Sequence, residues 1–413
     1  MRRMLTLEEA RQRILDDLAP VGTETVDLLA GAGRVAAEAV IAGRALPAFD
    51  NSAMDGYAVR AEETSGATAD SPVRLEIVEA ISAGSVPEQN IGPGTAARIF
   101  TGAPLPPGAD AVVMQEATEV DGARVAIREK ATIGQHVRRA GEDMSIGDVI
   151  VAAGDPVRAG ELGVLAGQGR SWIRVFRRPR VAILPTGDEL VEIDIEPGPG
   201  QITNSNSVSL AAQVREAGGI PHRLPPAPDD VERLAKALAD AAAAADLIIT
   251  SGGVSVGELD LVRNVLGQSG AMDFWRVAIK PGKPLAYGRL HGRPLIGLPG
   301  NPVSTFVCFE LFARPALRKL AGCPGLFRPA ASARLATAVR RNAKRREFLR
   351  GRLARRDGEL WVEPAAKQGS GQLSSMLGVD ALIDLAAGDG GVAAGEAVDV
   401  LILDSSSAAL SQA

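Results

Sequence analysis

Three segments in the second half of the chain carry residues suited to holding an anion beside a metal ion. They are Thr250-Ser-Gly-Gly-Val-Ser-Val-Gly-Glu-Leu-Asp260, Lys280-Pro-Gly-Lys-Pro284 and Gly297-Leu-Pro-Gly-Asn-Pro-Val-Ser304. Each follows an apolar run (Leu247–Ile249, Val277–Ile279, Leu295–Ile296) that reads as a strand. Glycine-rich turns at the carboxyl ends of strands are where open α/β sheets bind ligands, and their amides donate to phosphate or other oxyanions. Ser251, Gly252, Gly253 and Ser255 offer such amides and hydroxyls in the first segment, and Pro299, Asn301 and Pro302 shape the third. Lys280 and Lys283, set between prolines, form either a solvated turn or a pre-organised anion clamp. Glu258 and Asp260 add hard oxygen ligands of the kind Mg²⁺ takes. Together these features point to a phosphorylated ligand handled with a divalent cation.

Other motifs read two ways. Thr186-Gly-Asp-Glu189 follows an expected strand at Val181–Leu184 and either caps a helix or presents acids at the sheet edge. Phe49-Asp-Asn-Ser-Ala-Met-Asp-Gly-Tyr-Ala58 is, on spacing alone, a polar turn capped by Asp50 or Ser52; Asp55 becomes a ligand if it reaches a cleft. Thr101-Gly-Ala-Pro-Leu-Pro-Pro-Gly108 and Gly141-Glu-Asp143 are loop punctuation or site residues. His136, His222 and His291 form no metal set, and Cys308 and Cys323 make neither a disulfide framework nor a zinc site. The basic stretch Arg340, Arg341, Lys344, Arg345, Arg346, Arg350 and Arg352 lacks stacking aromatics beyond Phe348 and reads mostly as a solvated face, the alternative being that it meets a phosphate across a subunit interface.

The elements that must position these residues fall into a multidomain α/β plus β chain. At 413 residues it exceeds one ordinary core, and its 46 % hydrophobic and 23 % charged residues mark it as globular. A net charge of -5 argues against nucleic acid as a partner. The start has no signal-peptide apolar region and no stretch is long enough for a membrane span, so a cytoplasmic protein is expected. Thr6 and Glu9 read as a capping box opening a helix over Leu7–Leu18, with a second helix expected around Val26–Ala39. Residues 45–139 are β-rich and read as inserted into a mixed first domain, 1–44 and 140–176, with a helix at Ala159–Gly167. Arg177–Arg180 reads as a linker. Residues 177–326 then alternate strands with helices, at Ser207–Ala217, Val231–Ala244, Leu259–Leu266 and Val303–Phe312, as in a doubly wound sheet. Residues 327–413 return to short strands and suggest a C-terminal β-barrel or sandwich.

Taken in order along the chain, the motifs resemble the molybdopterin molybdenumtransferase family (MoeA, and the gephyrin E-domain). The resemblance spans nearly the whole length. It is carried by Phe49–Ala58, Thr101-Gly-Ala-Pro104, Arg139-Ala-Gly-Glu-Asp143, Thr186-Gly-Asp-Glu-Leu190, Ser251–Gly257, Lys280–Pro284 and Gly297–Pro302. It implies an α/β domain resembling molybdopterin adenylyltransferases, and a reaction in which adenylylated molybdopterin and molybdate give molybdenum cofactor and AMP with Mg²⁺. It also implies a homodimer whose sites are shared. Asp55, Thr101 and Asp143 would come from one subunit, and Glu189, Asp260, Lys280, Lys283, Pro299 and Pro302 from the other. Asp55, Asp143, Glu189, Asp260 and Lys280 would be catalytic, with Glu189 and Asp260 on the metal. Thr101, Thr186, Ser251, Gly252, Gly253, Ser255, Lys280, Lys283, Pro299, Asn301 and Pro302 would bind substrate. Expected partners are a molybdopterin adenylyltransferase or cofactor-accepting apoenzymes. Arg276 stands where some members carry Lys, and Ser370 matches the family's C-terminal serine loosely. A pterin-binding scaffold and an adenylyltransferase are the competing readings; the acids weigh against the first and the motifs of residues 49–143 against the second.

Overall fold

A computed structural model describes residues 4–252, 272–404 and 407–411. Gly253, Ser255, Glu258, Asp260 and the helix expected at Leu259–Leu266 lie outside the described residues. The centre of the molecule is a six-stranded sheet in the order Ile220–Arg223, Arg180–Pro185, Leu247–Ser251, Arg293–Leu298, Pro284–Leu290, Met272–Arg276. The first four strands are parallel and the last two run antiparallel to their neighbours. Alternate residues serve opposite faces. Val181, Ile183, Leu247 and Ile249 pack under Ser205–Glu216 and the helical run from Pro302 to Leu320, while Ala182, Leu184 and Ile248 pack under Val231–Ala244. Burial on both faces requires apolar residues at every position, and these strands supply them.

The first helix, Leu7–Asp16, opens on the expected capping box between Thr6 and Glu9. Its apolar stripe, Leu7, Ala10 and Ile14, lies in the same core as the α/β sheet. A fully buried Leu or Ile contributes about 1.5–3 kcal/mol, more than the roughly 1 kcal/mol of a cap, so packing decides where this helix docks. Tyr287 Oη donates to Asp17 Oδ2 over 2.7 Å and holds its carboxyl end.

The helix expected around Val26–Ala39 does not form. Thr23–Asp27 is instead a strand antiparallel to Trp172–Phe176, followed by a single short turn at Leu29–Gly31. Gly31 and Gly33 fall inside the expected helix, each at a cost of about 1 kcal/mol, and Thr23-Glu-Thr-Val-Asp27 alternates in exposure as an edge strand does. Val40–Ile41 likewise pairs with Val149–Val151, so segments on either side of the β-rich region close on each other around Ala36, Leu165 and Val175. Between them, strands from Gly56 to Ile127 form a separate six-stranded sheet with its own core.

The C-terminal strands close on themselves. Arg346–Arg356, Glu359–Pro364, Ala330–Leu335, Ala397–Ile402 and Ala381–Leu385 pair in turn, and the last pairs back with the first. One further strand is lent by the α/β unit: Ile279–Lys280 runs parallel to Arg346 and Glu347. The Lys280–Pro284 segment is thereby fixed at the seam between sheet and barrel. Among the described residues no helix is long and apolar enough to cross a membrane.

Candidate active site

Three loops leave the carboxyl ends of neighbouring strands and touch. Arg180–Pro185 runs into Thr186-Gly-Asp-Glu189, Leu247–Ser251 into Gly252, and Arg293–Leu298 into Pro299-Gly-Asn-Pro302. The Thr186 amide donates to Ser251 O over 3.0 Å and the Gly252 amide to Leu298 O over 3.1 Å. Gly252 has φ +98°, and a Cβ there would stand 2.7 Å from Thr186 O, so only glycine allows the first two loops to lie this close. Asn206, on the next helix, donates to Gly300 O over 2.8 Å and ties in the third loop. Beneath them, the side-chain hydroxyls of Thr186, Thr250 and Ser251 are buried with no partner among the described residues. Each such group costs about 1–3 kcal/mol until a ligand satisfies it.

Thr186 and Asp188 cap no helix. Asp188 accepts from the Asp229 amide over 3.0 Å and braces a neighbouring loop. Glu189 is exposed, its carbonyl accepts from the Ile202 amide over 2.7 Å, and its carboxylate folds over the Gly187 backbone with no hydrogen bond or ion pair among the described residues. Among the described residues it is the free carboxylate of this edge. Among the described residues no group of three or more His, Cys, Asp or Glu side chains forms a ready metal cage. A cation held by one carboxylate plus substrate oxygens is the arrangement that Mg²⁺ accepts, and Glu189 fits it.

Lys280 and Lys283 line a cavity of about 530 Å³ between the sheet and the C-terminal barrel. Gly282, at φ +102°, lies against Cys308, and a Cβ there would strike the Cys308 sulfur. Across the cavity stand Ser304, Arg345, Glu347, Arg350, Gln368 and Ser370. Lys280 Nζ lies 2.7 Å from Glu347 Oε1, while Lys283 is exposed. Ser370 Oγ accepts from Asn301 over 3.2 Å, and its carbonyl accepts from the Val303 amide over 3.1 Å, so the third loop and the barrel are joined at the cavity rim.

The solvated face expected for the basic stretch is corrected by the structure at two positions. Arg350 is 0 % exposed. Its guanidinium donates to the carbonyls of Lys367, Gln368 and Gly369 and to Ser375 Oγ, while its Nε has no partner. Burial pushes its pKa down to about 10, which leaves it cationic at neutral pH. Arg346 is paired with Asp384 and Glu8. Both arginines sit on a strand of a closed barrel, where alternate positions turn inward.

In the β-rich region, Asp55 Oδ1 accepts from the Thr101 amide over 2.8 Å and from Thr101 Oγ1 over 2.7 Å. These bonds, the amide first, hold its carboxyl below the usual aspartate value. Asp50 is used structurally, accepting from the Ala140 amide and from Arg139. Asp143 is exposed on the adjoining segment, its amide bonded to Leu46 O over 3.0 Å. Phe49, Met54 and Phe100 are exposed around this group. Among the described residues, Asp55 makes its bonds within this region and none to the three α/β loops.

Comparison with known proteins gives three consecutive family matches. Residues 5–169 match the MoeA N-terminal region (domain I and II), residues 182–319 a probable molybdopterin binding domain, and residues 332–403 the MoeA C-terminal region (domain IV). The chain belongs to the molybdopterin molybdenumtransferase family. Members of this transferase family include molybdopterin molybdenumtransferase 2 of Mycobacterium tuberculosis, 42 % identical over 86 % of this chain and 90 % of its own. The molybdopterin molybdenumtransferase of Nostoc sp. is 40 % identical over 92 % of this chain and 88 % of its own. The crystal structure of the molybdopterin biosynthesis moea protein from Pyrococcus horikosii superposes with a TM-score of 0.86 at 34 % identity, covering 97 % of this chain and 100 % of that one.

The family's motifs pick out Lys280 and Lys283, whereas Ser304, Arg345, Glu347, Arg350 and Gln368 line the same cavity without being expected there from the sequence. One signal was available: in Glu347-Phe-Leu-Arg350 two charges bracket apolar residues in a strand, which is unusual for a face open to water. Arg276 is exposed at the end of the edge strand, opposite Pro284 in the ladder and so close to the lysine loop.

Proposed function

We propose that this protein transfers molybdenum from molybdate to molybdopterin delivered in adenylylated form, releasing AMP, with Mg²⁺ as the required cation. The observation that carries this reading is the cavity in which Lys280, Lys283, Arg345 and Arg350 face Ser304 and Ser370, joined through Asn301 to the three-loop edge. Molybdate is a dianion, and a cavity lined by these cations and hydroxyls suits it. The pterin phosphate takes the adjoining edge, where the amides around Gly252 and Gly300 and the unpartnered hydroxyls of Thr186 and Ser251 are available. Glu189, with Asp260, would hold Mg²⁺, which when bound supplies Lewis acidity at the pyrophosphate oxygens. The sulfurs that accept molybdenum belong to the substrate. Cys308 is therefore not needed, in keeping with its burial, which pushes its thiol pKa far up.

The reading extends to a homodimer in which Asp55, Thr101 and Asp143 of one subunit face the α/β loops of the other, within the four-domain division at 44/45, 139/140, 176/177 and 326/327. The enzyme would act in the cytoplasm, between a molybdopterin adenylyltransferase and cofactor-accepting apoenzymes. The test is incubation with adenylylated molybdopterin, Mg²⁺ and molybdate. AMP release that depends on molybdate, with formation of cofactor able to activate an apo-molybdoenzyme, is expected. Consumption of ATP in its place, or binding without turnover, contradicts the reading.

A further inference from the structure

One residue of the cationic cavity has the opposite sign. Glu347 lines it, is 6 % exposed, and sits on the barrel strand that Ile279–Lys280 extends. Its Oε1 is 2.7 Å from Lys280 Nζ. The other charged groups on the wall among the described residues are Lys280, Lys283, Arg345 and Arg350, so Glu347 cancels part of the field that attracts an anion. An ammonium has three donors, and the contact with Glu347 uses one, leaving Lys280 free to bind an oxyanion at the same time. An ionised carboxylate only accepts hydrogen bonds, as does a fully deprotonated oxyanion. The two cannot bond to each other, and they repel.

A neutral acceptor would aim Lys280 equally well without that repulsion, so the charge itself needs a role. We propose that Glu347 sets how tightly this cavity holds its oxyanion: it aims Lys280 and, as a built-in counter-charge, keeps the anion loose enough to leave for its acceptor. This rests on the cavity being the oxyanion site. The gain is kinetic, because tightening the bound ground state adds nothing to the rate of a transfer step.

Glu347→Gln tests this, since it keeps the shape and an acceptor for Lys280 but removes the charge. Binding of molybdate alone, at low salt, is measured by calorimetry and by stopped-flow dissociation for the parent, Glu347→Gln, Glu347→Asp and Lys280→Gln. A unit charge a few ångströms from a bound anion changes affinity by roughly tenfold or more at the effective dielectric of such a site. Glu347→Gln should therefore bind molybdate roughly tenfold tighter and release it more slowly. Glu347→Asp should stay near the parent, and Lys280→Gln should bind more weakly. In turnover, Glu347→Gln should lower both the KM for molybdate and kcat. Should Glu347→Gln fold poorly, Glu347→Ser removes the same charge and should tighten binding likewise. A purely structural role predicts a lower melting temperature with no gain in affinity. Molybdate binding that weakens in Lys280→Gln but is unchanged or weaker in the Glu347 charge-removal variants overturns this assignment alone. A parent that binds no molybdate overturns the oxyanion site and this assignment with it.

Discussion

Asp55 shows how few contacts are needed to hold a carboxylate ionised. Two bonds from one residue, Thr101, hold it ionised while it stays open to solvent. Thr101→Val removes the hydroxyl and keeps the amide, so the Asp55 pKa should rise part of the way toward its ordinary value; carboxyl carbon NMR titration reads this, and an unmoved pKa refutes the pairing. Arg350 is the opposite case, a buried cation whose two terminal nitrogens donate to three carbonyls and a hydroxyl. Arg350→Lys cannot reach that set with one ammonium, and should lose about 2–3 kcal/mol of stability in denaturant unfolding. It should also weaken molybdate binding, because the residues 367–370 that it gathers carry Ser370 to the cavity.

At the scale of elements, the expected linker Arg177–Arg180 is pinned. Arg177 makes two bonds to Asp246, of 2.8 and 2.9 Å, and the Arg180 amide makes a third to the same carboxylate. Burial raises the Asp246 pKa, but the bonds from Arg177 and Arg180 outweigh it, and the folded-state value lies below the ordinary 3.8. A depressed folded pKa contributes stability that is fully present above the unfolded value and is lost as pH falls through the folded one. Asp246→Asn should thus cost about 1–2 kcal/mol at neutral pH, discounted for the part-exposed Arg177, and the difference from the parent should shrink below pH 3.8. A constant difference across that range contradicts the assignment. The legible parts of the fold were those with a local cause: the capping box at Thr6, the strands buried on both faces, and the helix Val231–Ala244 between acidic flanks. Thr23–Asp27 was misread because its partner, Trp172–Phe176, lies far along the chain. For a related reason Glu347 and Arg350 were only faintly legible: two charges bracketing apolar residues were the one signal, and barrel closure is what places them on the cavity with Lys280.

At the scale of the whole molecule, the parts proposed for the site are spread over several regions, and two of them are linked by the loan of Ile279–Lys280 to the barrel and by Phe348, Leu382 and Leu403 packing into the sheet's core. Sharing between subunits predicts complementation. Mixing inactive Asp55→Ala with inactive Asp260→Ala should restore activity up to about a quarter of the parent's, since about half the dimers are mixed and each has one intact site. Verified mixed dimers with no activity would place each site within one chain. The central claim, that the seam between sheet and barrel delivers the oxyanion to a pterin held at the three-loop edge, is tested most directly by molybdate-dependent AMP release in the parent and in Lys283→Gln. The account predicts a raised KM for molybdate in the variant with the adenylylated pterin still bound at parent affinity. A variant that keeps the parent's molybdate KM, or loses pterin binding instead, would contradict it.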